Sequence, residues 1–109
     1  MKVSQLVEKL NLKVVSGASS VDSSVTGCYI CDLLSRVMHK ARPGDVWITV
    51  QTNINITAVA ALSDIACVII PEGIEVEQST VDKSNEKNIV ILSSQQDSFE
   101  LAVRLNSLL

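Results

Sequence analysis

Apolar residues recur along this chain with two spacings, and the alternation between them predicts its elements. Val3, Leu6, Val7 and Leu10 fall at helical spacing and predict a short opening helix with one apolar face. Residues 12–15 read as a strand. The stretch 16–24 is rich in Ser, Gly and Ala and has no apolar period, so it predicts a loop, the weakest-structured part of the chain. Residues 25–30 read as extended. Leu34, Val37, Met38 and Ala41 then form a helical stripe that Pro43 and Gly44 bring to an end.

From Asp45 onward the pattern becomes regular. Apolar runs at residues 46–50, 67–70 and 89–92 are separated by segments long enough for helices, which is the signature of βαβ units. A run apolar at nearly every residue, as in Val46, Trp47, Ile48, Thr49 and Val50, suits a strand covered on both faces, as parallel strands are. Asn55 predicts the cap of a helix carrying Ile56, Val59, Ala60 and Ser63. Ser94, with Asp97 three residues on, resembles a capping box ahead of a helix with Phe99, Ala102, Val103 and Asn106 on one side. Residues 77–87 make an unconvincing helix. No repeat, low-complexity tract or linker interrupts the pattern. The expectation is a single compact α/β domain over residues 1–109, a mostly parallel sheet with helices on both faces.

Composition sharpens this picture. A chain of 109 residues has room for one core. Apolar residues make up 47% of it and charged residues only 19%, against roughly a quarter charged in typical soluble domains. So small a body cannot hide all of that apolar surface, and exposed apolar patches mark interfaces, which predicts a homodimer. The net charge is −3, the nine Lys and Arg residues are scattered singly, and Tyr29, Trp47 and Phe99 are the only aromatic residues. That excludes nucleic acid as a partner, because neutralising phosphates needs a basic face and single strands need stacking rings. The apolar runs near residues 58–62 and 66–70 are too short to span a bilayer, no export signal is visible, and three cysteines make no disulfide framework. A cytoplasmic protein with reduced thiols and no membrane partner is expected.

Candidate chemistry lies in the loops that follow the strands, because in open α/β sheets ligands sit beyond the carboxyl ends of strands. Gln51, Thr52 and Asn53 place hydrogen-bonding side chains together ahead of a helix start; Pro71, Glu72 and Gly73, and then Ser93 and Ser94, hold the equivalent places after the next two strands. Two readings stand side by side, ligand contacts or ordinary capping loops, since Asn, Thr and Ser favour such positions for local reasons. Thr26 and Gly27 precede the Leu34 helix. Gly27 either supplies a positive φ, lets a ligand or second chain approach the backbone, or marks a bulge. The four glycines are far apart and form no phosphate cradle, which argues against nucleotide hydrolysis or kinase activity by a familiar loop.

Cys28 and Cys31 form a Cys-x-x-Cys pair, the sharpest chemical feature of the chain. Such a pair can run disulfide exchange or give two thiolates to a metal, so a thiol redox or metal-binding protein is the alternative reading beside two half-buried structural thiols. Further ligands are missing: Cys67 lies in an apolar run and His39 is the only histidine. One His offers no Ser-His-Asp set. Asp32 suits the first turn of a helix and Asp45 a strand edge after a turn. No catalytic residue, metal ligand or cofactor is expected.

The block Val25, Thr26, Gly27, Cys28, Tyr29, Ile30, Cys31, Asp32, Leu33, Leu34, Ser35, Arg36, Val37, Met38 resembles the DRTGG domain family, whose members often carry a similar Val-Thr-Gly-Gly-Tyr, Ser-Asp-Leu-Leu-Ser and Val-Met series. The likeness continues from Gly44 to Thr52 and through Asn55 and Ile56, then more loosely to the C-terminus. Cys28 and Cys31 stand where small residues are common, which supports the structural reading of the pair. The resemblance implies a compact α/β fold, a tendency to dimerise and a regulatory or accessory role. Similar domains accompany phosphotransacetylases and CBS-containing pyrophosphatases, and look related to the N-terminal domain of HPr kinase. The phosphate-binding loop of that kinase belongs to a different domain, so a serine-kinase label does not carry over. The function expected is a non-catalytic regulatory module. Its partner is a second copy, a partner enzyme, or a small anionic or nucleotide-like ligand held through Thr26, Gly27, Gln51, Thr52 and Asn53.

Overall fold

The apolar runs after Asp45 become neighbouring strands of one sheet in a computed structural model that describes all 109 residues. Helix α1 (Val3–Lys9) leads into β1 (Lys13–Ser16); β2 (Gly27–Ile30), α2 (Leu34–Lys40), β3 (Asp45–Ile48), α3 (Asn55–Leu62), β4 (Cys67–Ile70), α4 (Gln78–Glu86) and β5 (Ile91–Ser93) follow, and α5 (Ser98–Leu108) closes the chain. The sheet order is β1-β5-β4-β3-β2. Strands β2 to β5 run parallel, and β1 joins the β5 edge antiparallel. The expected α/β class and mostly parallel sheet are therefore what the chain forms.

Where length predicts one core, the sheet divides the buried side chains into two clusters, one on each face. Val46, Ile48, Cys67, Ile69 and Leu92 point to one side, where Val3, Leu6, Leu101 and Leu105 of α1 and α5 cover them. Trp47, Val68, Ile70 and Ile91 point to the other, under Val37 of α2 and Ile56, Val59 and Ala60 of α3. All four residues of β3 and of β4 are buried, as double cover requires.

Three elements depart from the sequence reading. Residues 78–86 form a full helix, although its buried positions are Thr80 and Ser84, so no apolar stripe announces it. Helix α5 buries Leu101 and Leu105 and turns Phe99 and Val103 outward, the reverse of the expected face. Its cap is Asp97, which accepts from the Glu100 amide at 2.8 Å, whereas the Ser94 hydroxyl accepts from the Gln96 amide at 3.0 Å within the preceding turn. The stretch 16–24 is fastened rather than loose. Ser16 Oγ donates to the Ile89 carbonyl, the Gly17 amide donates to Asn85 Oδ1, both at 2.9 Å, and the amides of Val3 and Ser4 bond back to Ser23 and Val21.

Candidate functional site

At the carboxyl end of β3 the chain turns through Thr49, Val50, Gln51, Thr52 and Asn53 before entering α3. Asp32, just past β2, reaches across to hold that turn: its Oδ1 accepts from Thr49 Oγ1 at 2.8 Å and from the Val50 amide at 2.9 Å. Gln51 Nε2 returns a bond to the Asp32 carbonyl at 3.1 Å, Asn53 Nδ2 donates to Gln51 Oε1 at 3.0 Å, and Asn53 Oδ1 accepts from the Asn55 amide at 2.9 Å. Asp32 is thus a brace between two strand ends rather than a first-turn charge. Asn55 is not the cap expected but the first residue of α3; the N-cap position is Ile54, which has no side-chain cap, and the Asn53 side chain closes the turn just ahead of it. The Thr52 carbonyl accepts from Thr80 Oγ1 of α4 at 2.8 Å, which ties the loop to the next crossover helix.

Thr26 and Gly27 stand at the other end of the sheet. Gly27 pairs with Asp45 at the start of β3, so in parallel strands both lie at the amino end, away from residues 51–53. The structure therefore brings Gln51, Thr52 and Asn53 together and separates them from Thr26 and Gly27. Gly27 has no positive φ; a Cβ there would lie 2.6 Å from Asp45 Oδ1, so its missing side chain makes room for the buried Asp45 carboxylate. That carboxylate caps the turn before β3 by accepting from the Arg42 amide at 2.8 Å.

The Cys-x-x-Cys pair is split by the sheet itself. Cys31 and Tyr29 pack on the α2–α3 side, whereas Cys28 lies in register with Val46 and Cys67, whose side chains point to the α1–α5 side. Three residues of extended chain separate the two thiols by about 10 Å along the strand and turn them to opposite faces. This geometry denies them a shared disulfide or metal ion, and all three cysteines are free. Cys28 is exposed at the strand surface, yet partial burial of its thiol first, and the Asp45 carboxylate second, push its pKa up to about 11. Cys67, wholly enclosed, is pushed to about 12 by burial, with a smaller contribution from Cys28. Nucleophilic thiol chemistry needs the opposite shift. His39 is exposed on α2.

One feature of the carboxyl end carries no signal in the apolar pattern. A groove of about 500 Å³ opens between β1 and α4, lined by Lys13, Ser93, Gly73, Glu75 and Gln95 beside several aliphatic side chains. Its residues come from an edge strand, two loops and a helix, so no local spacing links them. Composition alone marks Lys13 and Glu75 as ordinary surface charges.

The DRTGG domain model matches residues 5–108. The chain belongs to the DRTGG domain family. No curated protein matches it closely enough to supply a nearer relative. Among solved structures, this DRTGG domain is similar to the CBS and DRTGG domains of the regulatory region of Clostridium perfringens pyrophosphatase, a structure complexed with the activator diadenosine tetraphosphate. The likeness has a TM-score of 0.73 at 13% sequence identity, covering 92% of this chain and 44% of that one. At such identity it speaks to the fold, and the DRTGG chain spans less than half the length of the protein it resembles. No helix of this DRTGG domain is long and apolar enough to cross a membrane.

Proposed function

We propose that this DRTGG domain is a non-catalytic regulatory module of the cytoplasm, a homodimer that senses a small anionic or nucleotide-like ligand on behalf of a partner enzyme. The observation that carries this reading is the likeness, over nearly the whole chain, to the DRTGG-containing regulatory region of an enzyme held with a nucleotide activator. The arrangement of loops supports it. Residues 51–53, 71–73 and 93–95 follow adjacent parallel strands and crowd polar groups at one end of the sheet, where such folds bind ligands. In this reading Gln51, Thr52 and Asn53 meet the ligand. Thr26 and Gly27, at the far end, serve a separate contact with a protein partner. Free, high-pKa thiols suit a reducing compartment.

Calorimetry of the full chain against a panel of nucleotides and phosphorylated metabolites tests this. Saturable binding that weakens in Gln51→Ala and Thr52→Ala is expected. A flat response across the panel from folded protein overturns ligand sensing and leaves protein docking as the function.

A further inference from the structure

Helix α3, Asn55–Leu62, carries no charged side chain. Its inner side buries Ile56, Thr57, Val59 and Ala60, and its outer side is apolar as well. Ile54, Ala58, Ala61 and Leu62 fall at i, i+4, i+7 and i+8 and so form one stripe; all four are exposed, Ile54 by 45% and Leu62 by 74%. A helix apolar all round belongs in an interior, and the chain itself supplies no cover for this stripe.

A groove of about 380 Å³ runs between α3 and α4, lined by Ile54, Thr57, Ala58 and Ala61 on one side and by Lys83 and Lys87 on the other. Its walls are helices whose backbone groups are already bonded within their own turns, so an added strand finds nothing to pair with. The small side chains at 57, 58 and 61 leave a furrow into which the ridge of another helix settles. The rim is cationic. Lys87 makes no ion pair, and Lys83 pairs with Glu86 alone. The other acid of α4, Asp82, accepts from Gln78 one turn back. Helix α2, packed on the opposite flank of α3, carries Arg36, His39 and Lys40 and no acid. In a chain of net charge −3 this is a local excess of positive charge.

We propose that this face docks an amphipathic helix of a partner protein, with aliphatic side chains in the groove and carboxylates along the rim. The inference goes beyond ligand sensing and rests only on the partner contact in the reading above. The stripe runs toward that contact: the Asp64 carbonyl, just past α3, accepts from the Gly44 amide, and the Gly44 carbonyl accepts from the Thr26 amide, both at 3.0 Å. A second copy of this chain fits poorly, because a two-fold axis would set the cationic rim against its own image. An anionic bilayer takes up protruding Trp, Phe and Leu side chains, whereas the centre of this face is a furrow floored by alanine.

The probe is a synthetic peptide of about 18 residues, long enough to hold a helix, with leucines at helical spacing flanked by glutamates; its twin has lysines in place of the glutamates. Titrated into the full chain at low salt and followed by backbone amide shifts, the glutamate peptide should move Ile54, Ala58, Ala61, Leu62, Lys83 and Lys87 saturably. The lysine twin should bind about tenfold more weakly. Ala58→Glu combined with Leu62→Glu should weaken the glutamate peptide about tenfold or more without lowering the melting temperature, since both side chains lie outside the core. Lys83→Glu combined with Lys87→Glu should reverse the preference between the peptides, which a loss of fold would not do. Equal binding of the two peptides, shifts confined to other faces, or an affinity untouched by Ala58→Glu with Leu62→Glu overturns the docking face. Silence toward both peptides overturns it too, and co-sedimentation with phosphatidylglycerol vesicles in that case assigns the face to a membrane. Nucleotide calorimetry of the Ala58→Glu, Leu62→Glu variant should match the parent, so failure here leaves ligand sensing standing, and a flat nucleotide panel leaves the docking face standing.

Discussion

Cys28 and Cys67 lie on one face of the sheet in register across β2, β3 and β4, and both thiols are held in the neutral form. Their pKa values rise from 9.0 to about 11 and about 12, so the folded chain keeps these protons at pH values where the unfolded chain releases them. The resulting stability is complete below about pH 9 and is lost as pH climbs through 11 and 12. Melting temperatures measured between pH 8 and pH 10.5 should therefore fall as the thiols of the unfolded state ionise, about a pH unit or two above neutrality being where the slope begins. Cys67→Ala should start less stable, from the cavity it leaves, yet show a shallower fall. A slope unchanged by that substitution would separate the alkaline loss from the thiols. The pair itself was legible in the sequence, but its meaning was not. Cys-x-x-Cys joins two sulfurs when it opens a helix, and in a strand the alternation of side chains sets them on opposite faces. Gly27 carries the same lesson, because the group that approaches it is Asp45, eighteen positions on and invisible to any local window.

At the scale of elements, α4 and α5 show where apolar periodicity stops informing. Helix α4 turns hydroxyls inward: Thr80 bonds the Thr52 carbonyl, and Ser84 Oγ lies 2.7 Å from Thr57 Oγ1 of α3 with both residues buried. A helix fixed by hydrogen bonds has no stripe to read, although the strands around it were evident from their apolar runs. The Thr57–Ser84 pair gives a test of this fixing. Ser84→Ala leaves the Thr57 hydroxyl buried without a partner and should cost about 1–3 kcal/mol in urea denaturation. Adding Thr57→Val removes the orphaned group as well, and the double variant should recover part of that loss. Additive losses would mean that the two hydroxyls act independently. In α5 the signal was present twice over. Leu101 and Leu105 form one apolar line, Phe99 and Val103 another, and spacing cannot say which of two lines a helix buries.

For the whole molecule, the second of those lines becomes the feature that needs a cover. Phe99 is 77% exposed and Val103 55%, and Ile30 at the open β2 edge is 47% exposed. Helix α5 packs near β2, and its Phe99–Val103 line points away from the sheet, opposite Leu101 and Leu105. The β2 strand, Gly27-Cys28-Tyr29-Ile30, carries none of the charges or prolines that usually keep an edge from pairing. The proposed homodimer uses the apolar line of α5, two copies packing this face about a two-fold axis so that each patch covers its own image. The full chain is then expected to run as a dimer by size-exclusion chromatography with light scattering. Phe99→Glu combined with Val103→Glu should convert it to a monomer. Both side chains lie outside the core, so the circular dichroism of the variant should stay that of the parent, whereas Leu101→Ala should lower stability by about 2–5 kcal/mol. A parent protein that is monomeric at high micromolar concentration, or a double variant that remains dimeric, rules out this face as the dimer contact. In that case the proposed companion enzyme is the next candidate to cover the exposed α5 line, and a pull-down that the double variant weakens would place it there.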